Sequence, residues 1–154
     1  MFRIGFSKDR HILTLGKGLT LGAVNVPSVF KAKAYSDGDV LLHAICESLY
    51  GAMGMDDLGT YFNKNTKPKG FSSTEIVEDV LKNLKEKEYK IENIDTLIVL
   101  DKPNLKEYKS TIKESVCNLF NLKLEQVSIK ATTSEYTNEN ILDVFSNVLI
   151  SKGE

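Results

Sequence analysis

The stretch from residue 37 to 54, DGDVLLHAICESLYGAMG, limits the fold more than any other part of the chain. Val40, Leu41, Ala44, Ile45, Leu49, Ala52 and Met53 recur there at helical spacing, which predicts a buried amphipathic helix. A helix with so wide an apolar stripe must be covered by another layer, and the flanking sequence offers strands to do it. FRIGFSK and LTLGAVNV read as strands of an antiparallel ribbon, with Gly16-Lys17-Gly18 as a turn and Pro27 as its end. Residues 28–35 show no period and are expected to be a loop.

Residues 59–71 mix turn formers with lysines and predict an exposed loop. Ser72 and Glu75 have capping-box spacing ahead of a helix that runs to about Lys87. IDTLIVLD predicts a buried strand stopped by Pro103. A further helix follows over 106–120, carrying Tyr108, Ile112, Val116, Leu119 and Phe120 on one side. In EQVSIKATT the alternation of Val127, Ile129 and Ala131 predicts a strand with those residues inward. NENILDVFSNVLIS is expected to close the chain as a helix capped by Asn138 or Asn140. The order predicts an α+β fold in one domain spanning 1–154, a mixed sheet covered on one face by helices with an N-terminal β-ribbon.

Lys and Arg number 20 against 21 Asp and Glu, a net charge of −1 without like-charge blocks, so no nucleic-acid partner is expected. No window approaches the ~18 apolar residues of a membrane span, and the N-terminus has no signal-peptide core. The chain starts directly on its first strand, and a bacterial-type cytoplasmic protein without a membrane partner is expected. Cys46 and Cys117 sit among apolar neighbours without a CxxC spacing and read as small buried hydrophobes.

The chemistry-bearing feature is YSDGDVLLH, residues 35–43. Helix capping and the helix dipole account for Ser36, Asp37 and Asp39, but not for His43. The chain has only one other histidine, His11, and it too has a carboxylate nearby. On an extended segment Asp9 and His11 project from one face. On the helix Asp39, His43 and Glu47 stand four apart, a polar stripe opposite the apolar one. Two imidazoles and a carboxylate from two elements make the three-ligand set of a catalytic zinc site. Spacing alone leaves the alternative of two solvated surface histidines standing.

Taken in order, these segments resemble the 2-C-methyl-D-erythritol 2,4-cyclodiphosphate synthase family. Four elements carry the resemblance: Arg3-Ile4-Gly5 with Asp9-Arg10-His11, the YSDGDVLLH element, MDDLG with Asp57, and Lys130 through Glu135 in KATTSE. The resemblance implies an α+β subunit of a homotrimer with active sites between subunits. It implies cyclisation of 4-diphosphocytidyl-2-C-methyl-D-erythritol 2-phosphate with release of CMP. Asp9, His11 and His43 would then hold Zn2+, and Glu135 would hold Mg2+ or Mn2+ with the substrate diphosphate. Ser36, Lys130, Ala131, Thr132 and Thr133 would meet phosphates. Asp57, with Asp56 as its rival, would take the erythritol hydroxyls. The backbone of residues 100–105, including Leu100, Lys102, Pro103, Asn104 and Leu105, would hold cytosine.

The chain also departs from the family pattern. Tyr35 stands in place of a histidine that would face phosphate, and Asn104 in place of a lysine, for which Lys102 offers a cation from the other side of Pro103. Phe62-Asn63-Lys64 replaces Phe-Pro-Asp. The glycine-rich segment before the last element, with its arginine and glutamate, is cut to YTNENILD. Two rival functions stand beside this one: a zinc-dependent phosphohydrolase on the same scaffold, with water attacking from the open zinc position, and a non-catalytic trimeric nucleotide- or metal-binding module that has lost turnover through the Tyr35 and Asn104 changes.

Overall fold

The computed structural model describes residues 1–153. Its strands are β1 (Phe2–Leu15), β2 (Leu19–Leu21), β3 (Val24–Val26), β4 (Phe30–Ala32), β5 (Lys90–Val99), β6 (Val127–Thr132) and β7 (Ile141–Ser151). The helices are α1 (Val40–Ala52), α2 (Leu58–Tyr61), α3 (Thr74–Glu86) and α4 (Lys109–Phe120), with a 3-10 turn at Leu124–Gln126. The main sheet has the order β4-β1-β7-β5-β6, antiparallel except for the parallel pair β5 and β6, and β2 and β3 form a separate ribbon. This is the expected mixed α+β sheet.

The closing segment is a strand, not the expected helix. Ile141–Ser151 lies between β1 and β5 and pairs with both. Its sequence satisfies both periods: Ile141, Leu142, Phe145, Val148 and Leu149 fit a helical stripe, while Leu142, Val144, Ser146, Val148 and Ile150 alternate. In the structure the alternating set is the buried one. A short apolar run does not separate the two by period, and strand pairing on both sides decides it.

Smaller corrections concern the N-terminal region. β1 is one long strand that pairs with β4 and β7, so Phe30–Ala32, expected as loop, is an edge strand. The ribbon is β2-β3 alone, and its turn is Gly22-Ala23, both at positive φ (62° and 61°), rather than Gly16–Gly18. Ser73, not Ser72, is the N-cap residue of α3, and the expected capping box does not form. Ala131 keeps to the inner face with Val127 and Ile129 but is exposed, because the end of β6 opens into a cleft.

Helix α1 lies along the inner face of β1 at unusually close range. Arg3 Nε donates to the Ala52 carbonyl, a β-carbon on Gly5 would stand 1.8 Å from the Ser48 carbonyl oxygen, and Ser7 Oγ donates to the Ala44 carbonyl at 2.5 Å. Each step of four residues back along α1 matches two residues forward along β1. The two advances are nearly equal, about 6 Å on the helix and about 6.7 Å on the strand. Continuing the register brings the first turn of α1, with His43, over Asp9 and His11.

Asp39 secures that turn. It is fully buried, and its carboxylate accepts from Leu42 N and Gly22 N at 3.0 Å and from Ala23 N at 2.7 Å. It therefore caps α1 and ties the β2-β3 turn to it, and does not share a polar stripe with His43 and Glu47. Burial pushes its pKa up to about 6.

Candidate metal centre and nucleotide cleft

Strand alternation places Asp9 and His11 on the inner face of β1, and α1 delivers His43 opposite them. Asp9 Oδ2 lies 3.4 Å from His11 Nε2 and 3.6 Å from His43 Nδ1, with the two rings edge-on at 74°. The ligand atoms of all three lie within 4.8 Å of one another. Asp9 Oδ2 is buried and has no hydrogen-bond partner. His11 Nδ1 lies 2.9 Å from the Lys33 carbonyl, which can only accept, so its proton is there and Nε2 presents a lone pair.

A buried carboxylate oxygen left without a proton donor, facing two ring nitrogens, is a set of electron pairs in want of a cation. Tetrahedral zinc bonded to nitrogen and oxygen at about 2.05 Å separates its ligand atoms by about 3.3 Å. The observed 3.4 and 3.6 Å fit that demand. The adjacent Asp9 carboxylate raises the pKa of His11, whereas burial lowers that of His43 and favours its neutral, ligating form.

The triad opens into a cleft of about 310 Å³, lined also by Tyr35, Ser36, Glu47, Leu58, Gly59, Phe62 and Phe71. Ser36 Oγ stands 3.2 Å from His43 Nε2. Tyr35 lines the wall, but its hydroxyl is donated to the Lys67 carbonyl at 3.0 Å, pinning the 62–71 segment against the cleft. The 59–71 stretch, expected as loop, begins inside α2, and Glu47 holds the start of that helix by accepting from Leu58 N at 3.1 Å. Asp57 is exposed at the N-terminus of α2 and accepts from Thr60 Oγ1 at 3.1 Å; Asp56 is exposed beside it.

A second cleft, about 450 Å³, sits where β5 and β6 end. Leu100, Asp101, Lys102, Asn104, Leu105, Lys106, Lys109, Ala131, Thr132, Thr133 and Tyr136 line it. Most of the expected nucleotide-side residues therefore meet here. Pro103 forms the turn between Lys102 and Asn104. Asn104 Oδ1 accepts from Lys106 N at 2.9 Å, so this side chain shapes the turn. Lys130 points elsewhere, to Asp95 at 3.0 Å on the outer face of the sheet.

Sequence reading did not single out Asp101, Lys106, Lys109 or Tyr136. Asp101 accepts from Ser134 N and Oγ at 2.7 and 2.6 Å, which holds its pKa low and fixes the turn carrying Glu135 and Tyr136. Both of those residues are exposed with positive φ, and Glu135 is not in the metal group. A run of lysines reads as solvated surface until the fold gathers it around one cavity.

The two clefts share one end of the sheet. Asp9, Val144, Ile98 and Ala131 form a single cross-strand row, and three strand spacings put its ends about 14 Å apart.

A carboxylate-bis-histidine centre beside a lysine-rich cleft, on a mixed sheet backed by helices, defines a metal-assisted enzyme of phosphate chemistry. Residues 2–151 match the YgbB family, and the chain belongs to it. It is 42% identical over 134 residues to the 2-C-methyl-D-erythritol 2,4-cyclodiphosphate synthase of Clostridium botulinum, covering 86% of this chain and 85% of that one. A solved structure of such a synthase with CDP bound superposes with a TM-score of 0.91 at 28% identity, covering 97% of this chain and all of that one. The bifunctional IspDF of Campylobacter jejuni matches the whole chain at a TM-score of 0.93 and 26% identity, over 43% of its own length.

Proposed function

We propose that the protein cyclises 4-diphosphocytidyl-2-C-methyl-D-erythritol 2-phosphate to 2-C-methyl-D-erythritol 2,4-cyclodiphosphate and releases CMP, a step of non-mevalonate isoprenoid precursor synthesis. The observation that carries the reading is the orphaned Asp9 Oδ2 between His11 and His43 in an open cleft, on a chain this similar to enzymes of that name.

In this reaction an oxygen of the substrate's 2-phosphate bonds to the β-phosphorus, and the bond from that phosphorus to the bridging oxygen breaks, with the electron pair leaving on CMP. The substrate supplies its own nucleophile, so the protein's work is alignment and charge neutralisation. Asp9, His11 and His43 would hold zinc, which supplies Lewis-acid polarisation of a phosphoryl oxygen when bound. Ser36 offers a hydroxyl to the phosphate beside it. Thr132 and Thr133 offer hydroxyls at the second cleft, and Lys102, Lys106 and Lys109 surround it with positive charge. Asp57 accepts from the erythritol hydroxyls.

Glu135 would hold Mg2+ or Mn2+ together with the diphosphate. Such ions keep several waters and take one or two carboxylates plus phosphates, and a single exposed carboxylate suits them.

The sheet face opposite the helices supports a homotrimer with active sites between neighbouring subunits. Phe2, Ile4 and Phe6 are 70, 81 and 64% exposed along one face of β1, a contiguous apolar strip that a closed ring of copies would bury. The same reading keeps the protein in the cytoplasm, where a multiply charged substrate is retained. Among the described residues no helix is long and apolar enough to cross a membrane.

The test is incubation with the diphosphocytidyl substrate, zinc and magnesium, with products followed by phosphorus NMR. Cyclic diphosphate with equimolar CMP is the expected result. A linear phosphate product would make the protein a phosphohydrolase, and CDP binding without any product would make it a binding module.

A further inference from the structure

Behind His43 lies a chain of hydrogen bonds that the reaction above does not use. Its Nδ1 faces Asp9, while Nε2 lies 2.9 Å from Ser73 Oγ. The Ser73 hydroxyl is in turn 2.5 Å from Asp37 Oδ1, and Ser73 N donates to Asp37 Oδ2 at 2.9 Å. An ionised carboxylate accepts only, so the hydroxyl proton points to Asp37 and the Ser73 oxygen has only lone pairs for the imidazole. The proton between His43 and Ser73 is therefore the imidazole's own, on Nε2. That leaves the lone pair on Nδ1, aimed at Asp9 and His11.

Ser73 gives up an ordinary role to do this. It is the N-cap residue of α3 and fully buried, yet its side chain makes no capping bond to its own helix. Serine at that position usually accepts from the second or third backbone N–H of the helix. Here the hydroxyl spans two other elements instead, the 35–39 segment and α1. His11 reaches the complementary state through the Lys33 carbonyl, so opposite nitrogens of the two rings converge on Asp9.

We infer that Ser73 and Asp37 are positioning residues for the metal centre: Asp37 orients the Ser73 hydroxyl, and Ser73 fixes the tautomer and ring angle of His43. The inference deepens, and rests on, the reading of Asp9, His11 and His43 as zinc ligands. Groups that receive the second N–H of a ligating imidazole typically account for 10- to 100-fold in metal affinity. The rival explanation is structural, with Asp37 and Ser73 serving only to dock the start of α3.

The two are separated by measuring zinc affinity and fold stability independently. Metal-stripped wild type, Ser73→Ala, Asp37→Asn, the double variant and a Ser72→Ala control would be titrated with zinc against a chromophoric chelator. Thermal melts of the same metal-free proteins would be recorded beside the titrations. Ser73→Ala is expected to weaken zinc at least 10-fold and Asp37→Asn to weaken it less. The double variant should be no worse than Ser73→Ala, because Asp37 acts through Ser73, and Ser72→Ala should match wild type. The visible spectrum of the cobalt-loaded protein should change in Ser73→Ala as the His43 ring loses its anchor. In zinc-loaded wild type, long-range proton–nitrogen NMR should show His43 protonated on Nε2 and His11 on Nδ1.

Zinc affinity within twofold of wild type in Ser73→Ala, with a lowered melting temperature, would overturn the inference in favour of the docking role. Losses that simply add in the double variant would also overturn it. Failure of wild type itself to bind zinc would instead remove the reading beneath it.

Discussion

The carbonyl oxygen of Ser48 occupies the space a side chain on Gly5 would need, 1.8 Å from the ideal β-carbon position. This contact sets the distance between α1 and β1, and through it the approach of His43 to Asp9. The obstacle is backbone, which cannot swing aside, so Gly5→Ala should push the helix off the strand. Overpacking of this kind costs about 3 kcal/mol. The expected result is a markedly lower melting temperature and weakened zinc binding together. A Gly5→Ala protein with unchanged stability would show that the helix can shift freely.

Asp39 makes stability depend on pH in a direction unusual for a carboxylate. Its folded-state pKa, pushed up to about 6 by burial, lies above the ordinary 3.8. The folded protein therefore binds its proton more tightly than the unfolded chain does, and the contribution is full below about pH 4 and lost as pH rises through 6. The gap corresponds to about 3 kcal/mol. With chelator present, the stability of wild type minus that of Asp39→Asn should fall between pH 4 and 6. Subtraction cancels the titration of distant groups. A difference that is flat or rises over that range would contradict the assignment.

The apolar strip on β1 predicts an assembly that one charge can break. Phe6 is 64% exposed in the isolated chain, so Phe6→Glu should leave the subunit fold nearly untouched. Light scattering should report three chains per particle for wild type and one for the variant. Monomeric wild type, or an undisturbed trimer in the variant, would refute the interface.

At the second cleft, Asn104 is engaged in its own turn and cannot replace a cation. Lys102, two positions away across Pro103, lines the same cleft and can supply the charge. Lys102→Ala should weaken CDP binding about fivefold, corresponding to about 1 kcal/mol, with the difference shrinking as salt is raised. Equal affinity at low salt would exclude Lys102 from the nucleotide site.

The two histidines and their carboxylate were legible in sequence because period-2 and period-3.6 geometry are local rules, and the motifs around them are compact. Asp39 caps α1 as expected but does not share a polar stripe with His43, because Leu42 N in its own helix and two backbone donors of the distant β2-β3 turn hold it inward. The closing strand was misread because its apolar residues satisfy both periods, and only pairing with β1 and β5 chooses between them. Ser73 went unnoticed because its partners, Asp37 and His43, are 36 and 30 residues away. The second cleft could be reached only through family resemblance, since its lysines come together from separate turns.

If Asp9, His11 and His43 form one open metal site, elemental analysis of zinc per chain will show it. Wild type reconstituted with zinc and desalted should retain about one ion per chain. The Asp9→Ala/His11→Ala and His43→Ala proteins should be folded, retain none and lose turnover. Wild type that holds no zinc after reconstitution, or a His43→Ala protein that keeps its zinc and near-normal activity, would contradict it.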